Sequence, residues 1–167
     1  MPARLRVHPR WWSERVTIGL PFRRPDAMPL TLDQANRIIG AALTRSNEAG
    51  FKPMAVVVLD DAGHIKAVQR QDGATMLRVE IATGKAWAAV GMGAASRVLT
   101  QRAKDLPAFF NAIAASAQGK FIPQTGAVLI KDASGQVIGA AGASGGSGDE
   151  DELICIAGIE AVGLQAG

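Results

Sequence analysis

Two short segments of this chain are built alike, and together they limit the folds open to it. Met54-Ala55-Val56-Val57-Val58-Leu59 is a β-branched apolar run, Asp60-Asp61-Ala62-Gly63 is a turn, and His64 to Arg70 alternates polar and apolar residues. Ala127-Val128-Leu129-Ile130-Lys131, the turn Asp132-Ala133-Ser134-Gly135 and the run from Gln136 to Ser144 repeat that plan. Each reads as a β-hairpin. The order hairpin, helices, hairpin, helix leaves no room for successive parallel crossovers, so the expected class is α+β with a mostly antiparallel sheet packed by helices.

The segments around the hairpins carry helical signals. Thr31-Leu32-Asp33-Gln34 is a capping box, in which the threonine oxygen accepts a free backbone N–H and the glutamine reaches back. Ile38, Ile39, Ala42 and Leu43 then recur at helical spacing, and Gly50 supplies a stop, giving a helix over residues 31–49. Further helices are expected at 75–92, 95–104 and 107–117, the last with Pro107 in its first turn. A glycine loop at 144–148 leads into a final helix from Asp149 to about Leu164.

Charge divides the chain. Residues 1–27 hold six arginines against Glu14 and Asp26, a net charge of +4, with four prolines and no clear period. Residues 28–167 hold 12 basic and 13 acidic side chains, a net charge of −1. The expected organisation is a basic leader at 1–27, disordered or upstream of a start at Met28, followed by one domain at 28–167. The other reading of the leader is an arm that packs Trp11-Trp12 on a neighbouring subunit. A near-neutral domain offers no phosphate-binding face, so no nucleic-acid partner is expected. No stretch reaches the ~18–20 apolar residues needed to span a bilayer, so no membrane partner is expected either. Arg23-Arg24 is followed by no apolar run, and Cys155 is the only cysteine. Together these point to a cytoplasmic protein with no internal disulfide.

Several residues could carry chemistry. His64 is the only imidazole of residues 28–167, and imidazole is a common ligand of haem iron; its position just after a turn equally suits a solvated side chain. Arg70, Asp72 and Lys85 form the best polar group for a pocket. Arg70 and Lys85 could neutralise a propionate or a small carboxylate, and the competing reading is an ion pair that fixes a loop. Met76, Met92 and Cys155 are softer ligand candidates, with core filling as the alternative. Asp149 and Asp151 could hold a divalent cation, but Asp149, Glu150, Asp151 and Glu152 more simply complement the helix dipole and would repel phosphate. No nucleophile-base-acid set, no His/Cys metal spacing and no dinucleotide fingerprint is visible, so enzyme status is open.

The same residues resemble the GlcG/HbpS-type family, whose module also occurs at the C-terminus of PduO-type adenosyltransferases. The match runs along nearly all of 30–164. It includes Leu30-Thr31-Leu32 with Ala35, Val58-Leu59-Asp60, Gly63, Arg70-Gln71-Asp72-Gly73-Ala74 and Glu80-Ile81-Ala82 with Lys85-Ala86. Its most specific part is Val137-Ile138-Gly139-Ala140, Ser144-Gly145-Gly146, Asp151-Glu152 and Ala157-Gly158. Glu150 stands where glutamine is common, Trp87 where a small residue or tyrosine is common, and Leu129 where proline is common. The resemblance implies a profilin-like sheet between helices, assembly into homo-oligomers and haem as cofactor. It implies a haem- or tetrapyrrole-binding accessory or sensor protein, with Arg70 or Lys85 on the propionates, Asp72 beside them and His64 on the iron. Two further readings stay open: a small enzyme or enzyme subunit acting on organic acids around Arg70, Asp72 and Lys85, and a structural oligomeric module.

Overall fold

The structure, a computed structural model, describes residues 29–167. The expectations for residues 1–27, including the Trp11-Trp12 arm, lie outside the described residues.

Helix α1 (Leu32–Glu48) starts with the capping box: Gln34 N–H donates to Thr31 Oγ1 at 3.1 Å and Thr31 N–H donates to Gln34 Oε1 at 3.0 Å. It buries Ala35, Ile38, Ile39 and Ala42. Strands β1 (Ala55–Asp60) and β2 (Ile65–Arg70) follow as an antiparallel hairpin. Helices α2 (Leu77–Met92), α3 (Ser96–Asp105) and α4 (Pro107–Ser116) come next, then the second hairpin of β3 (Ala127–Lys131) and β4 (Val137–Ser144), and helix α5 (Gly148–Glu160).

The two turns use one device. Asp60 Oδ1 accepts from the N–H groups of Ala62 and His64 at 3.0 and 2.9 Å, and Asp132 Oδ1 accepts from Ser134 and Gln136 at 2.9 and 3.0 Å. The glycines that close them, Gly63 and Gly135, have φ of +80° and +81°, where a side chain would be strained. Antiparallel pairing of β1 with β4 joins the hairpins into one sheet of order β2-β1-β4-β3-β5, where β5 is Gln165–Ala166. Val57 lies opposite Val68 on one side and Gly142 on the other.

Both faces of the sheet are covered, which is why β1 reads as an unbroken apolar run. Val56 and Val58 pack with Ile38, Ile39, Ile154 and Ile159 of α1 and α5. Val57 and Leu59 pack with Ala82, Ala86 and Ala89 of α2 on the opposite face. β4 is made of small residues because helices press on it: a Cβ on Gly142 would stand 2.4 Å from the Ala82 carbonyl oxygen. The same holds between helices, where a Cβ on Gly158 would stand 2.5 Å from the Ile38 carbonyl oxygen.

A third cluster of Ala88, Leu99, Phe110 and Phe121 ties α3 and α4 to α2. Trp87 meets Phe121 edge-on, with ring centroids 6.5 Å apart.

The structure departs from the sequence expectation at the C-terminus. The last helix ends at Glu160 rather than near Leu164, because Gly163 takes φ +76° and turns the chain back. Gln165–Ala166 then forms a short strand, β5, against β3. Among the described residues no helix is long and apolar enough to cross a membrane.

Candidate functional site

The expected cluster of Arg70, Asp72 and Lys85 does not form. Arg70 ends the edge strand β2 with its Nη1 donating to the Ala74 carbonyl oxygen, and Asp72 lies exposed in the loop that follows. Both border a shallow polar cleft beside Phe51 and Pro53. Lys85 does not reach it. Its position on α2 faces β4 and α5, and the side chain is buried there.

Lys85 Nζ lies 2.7 Å from Asp151 Oδ2 and donates to the Ala143 carbonyl oxygen at 3.2 Å. Asp151 Oδ1 accepts from Gly146 N–H at 3.1 Å. Burial raises the Asp151 carboxyl above its ordinary 3.8, against the lowering effect of Lys85. Gly126 makes the arrangement fit: it has φ +125°, and a Cβ there would stand 2.7 Å from Lys85 Nζ. Lys85 thus pairs with Asp151 of α5 and not with Asp72.

The glycine loop is a structural connection. Ser147 and Glu150 form a second capping box, with Ser147 N–H donating to Glu150 Oε2 at 2.6 Å. Asp149 pairs with Arg97, and Asp151 with Lys85. The two carboxylates thus turn to different cations, and no group of three or more His, Cys, Asp or Glu that could hold a metal gathers among the described residues. Cys155 is buried, with its thiol 3.8 Å from the Gly126 carbonyl oxygen. Met92 packs against the α3–α4 cluster, and Met76 is exposed.

His64 opens onto a different place. A cleft of about 650 Å³ lies between the first hairpin, α2 and the loop after α4, within the ~300–1,000 Å³ usual for cofactor and ligand sites. Val79, Thr83 and Trp87 form its α2 wall, and Ile65 stands opposite. Ile65 is 55 % exposed, a large apolar side chain left open to the cleft. The His64 imidazole projects at the mouth, its side chain 80 % exposed and its Nδ1 3.7 Å from Asp60 Oδ1. Glu80 and Lys120 give the cleft one charge of each sign. The turn rests on the indole, since a Cβ on Gly63 would lie 3.1 Å from Trp87 Cδ1. Sequence reasoning picked out His64 here but missed Val79, Thr83 and Lys120. The spacing 79, 83, 87 marks one face of a helix, and that was the available signal.

A family described as haem degrading protein HbpS-like matches residues 30–160. The chain belongs to the HbpS-like family. The corrinoid adenosyltransferase PduO of Citrobacter freundii is 28% identical to this HbpS-like chain over 142 residues, 85% of the chain. The chain spans 42% of that relative's length. Among solved structures, a PduOC:heme complex superposes with a TM-score of 0.74 at 27% identity, covering 82% of this chain and 97% of its own. HbpS superposes with a TM-score of 0.68 at 28% identity, covering 79% and 89%. A double mutant of Streptomyces reticuli HbpS gives 0.70 at 26% identity, covering 95% and 97%.

The residues lining the cleft fit haem by type: an apolar wall suits a flat macrocycle, Lys120 is a cation of the kind a propionate takes and His64 is an imidazole.

Proposed function

We propose that this protein binds haem in the cleft between Ile65 and Trp87 and acts as a haem-binding accessory or sensor protein. Family membership and the similarity to a PduOC:heme complex support the reading. The observation that carries it for this chain is the meeting of His64 with the open apolar surface of Ile65, Val79 and Trp87. Bound haem supplies an iron centre that takes a nitrogen ligand and two propionates that take cations. His64 would face the iron, and Lys120 would take a propionate. Trp87 is held edge-on by Phe121, so it offers a fixed wall rather than a mobile one.

Arg70 and Asp72 lie at another cleft, so they contribute to haem only if a second copy of the chain completes the site, and Lys85 is buried against Asp151. Self-association belongs to the proposal. Leu106 and Phe109 at the start of α4 are 52 % and 51 % exposed, and such apolar surface suits burial between subunits. The lone buried thiol of Cys155 fits a reducing compartment, the cytoplasm in this reading.

The test is a hemin titration followed by absorption, with native mass measurement on the same samples. A saturable Soret shift that is diminished in a His64→Ala variant is expected. A spectrum identical to free hemin at every ratio overturns the reading.

A further inference from the structure

A second cleft, of about 420 Å³, lies on a different face of α2 from Trp87, between that helix, Gln124-Thr125 and the loop 144–148. Its charges are nearly all spoken for. Asp151 is held by Lys85 and Asp149 by Arg97. Arg78 is the exception: its charge acts on the Asp151 carboxyl from a distance, but no carboxylate among the described residues forms a salt bridge with it, and its Nη1 donates to Ser144 Oγ at 3.3 Å. Ser144 is 1% exposed, and its hydroxyl proton has no acceptor among the described residues. Lys85 uses two of its N–H groups, on Asp151 and Ala143, and a third is left over. Ile81 adds an apolar wall.

A half-buried guanidinium that no carboxylate among the described residues bridges, a buried hydroxyl and the remaining N–H of an ion-paired ammonium converge here. We infer that this cleft is a binding site for a short-chain monocarboxylate, distinct from the haem cleft. The guanidinium fork matches the two oxygens of a carboxylate. Ser144 Oγ–H donates to one of those oxygens, and the carbon chain lies along Ile81. The charge is set by the surroundings: Asp149 and Asp151 line the same cleft and disfavour a second negative charge, so phosphate is a poor occupant. Loop amides do not bind the ligand, because Gly146 and Ser147 N–H are already taken by Asp151 and Glu150.

The experiment is an amide NMR titration of the full chain with sodium butyrate, with sodium phosphate and sodium chloride as parallel arms at equal ionic strength. Butyrate is expected to give saturable shifts at Ile81, Ser144 and Gly146, with none in chloride and weaker, non-saturating shifts in phosphate. Arg78→Gln, shown to be folded by its melting curve, is expected to lose the saturable shifts while its hemin Soret titration stays unchanged. That last comparison separates failure of this site from failure of the haem reading. Ser144→Ala is expected to weaken butyrate without abolishing it. Absence of saturable shifts, unchanged shifts in folded Arg78→Gln, or phosphate binding at least as tightly as butyrate would each overturn the inference.

Discussion

Lys85 on α2 and Asp151 on α5 meet at 2.7 Å with both side chains inside the protein. They stand 66 positions apart and pin the α2 layer to the first turn of α5 across the end of β4. A buried pair of this kind adds little net stability over an apolar pair, yet losing one member leaves a charge without a partner.

Lys85→Met is therefore expected to cost about 3–5 kcal/mol, or roughly 10 °C in melting temperature, and Lys85→Met with Asp151→Leu to recover most of it. Burial already holds the Asp151 carboxyl above its ordinary 3.8. Between that value and the raised one, the folded state keeps a proton that the unfolded chain has released, so this group's contribution falls as pH rises. Without Lys85 the raised value moves further up. The deficit of Lys85→Met is then largest at neutral pH and narrows in acid. Urea unfolding of both proteins at neutral and mildly acidic pH checks it, and a deficit that widens in acid contradicts the pairing.

Two glycine substitutions should act in opposite directions. Gly126→Ala places a Cβ 2.7 Å from both Lys85 Nζ and Asp151 Cβ at φ +125°, and should destabilise by about 1–3 kcal/mol or more. Gly40 lies inside α1 with nothing within 4 Å of an added Cβ. Gly40→Ala should stabilise by about 0.5–1 kcal/mol through helix propensity alone. Denaturant midpoints at fixed m-value read both.

Ile65 gives a quantitative handle on the proposed haem cleft. If the macrocycle covers it, Ile65→Ala removes apolar area from the complex, and hemin affinity should drop about ten-fold. The Soret position should stay where it is, because Ile65 brings no ligand atom. His64→Ala should instead move the Soret band. Equal effects of the two variants on band position would show that His64 does not face the iron.

Cys155 should be silent in the native protein. Its thiol is fully buried, and burial pushes its pKa well up, away from the thiolate that reacts. An aromatic disulfide reagent should find no thiol under native conditions at mildly alkaline pH and one thiol per chain in denaturant. Rapid native labelling would mean that α5 opens readily.

Much of the fold was legible because it rests on local rules. The capping box at Thr31–Gln34 forms through neighbours three residues apart, and the Asp60 and Asp132 turns through neighbours two and four apart. The helix boundaries fall within a few residues of expectation for the same reason. The last strand was not legible, since Gln165–Ala166 is too short to show a period and exists only by pairing with β3.

The candidate sites divide along the same line. The amino-acid sequence by itself determined two hairpins, the helices between them, the glycines at their turns and a single imidazole beside one turn, because backbone geometry and side-chain periodicity act over a few residues. Only the tertiary structure decided that Lys85 belongs to Asp151 and not to Arg70 and Asp72, that Arg78 forms no salt bridge among the described residues, and that His64 shares a cleft with Trp87. Those partners lie on separate elements, and which of them meet is set by how α2 and α5 pack on the small residues of β4.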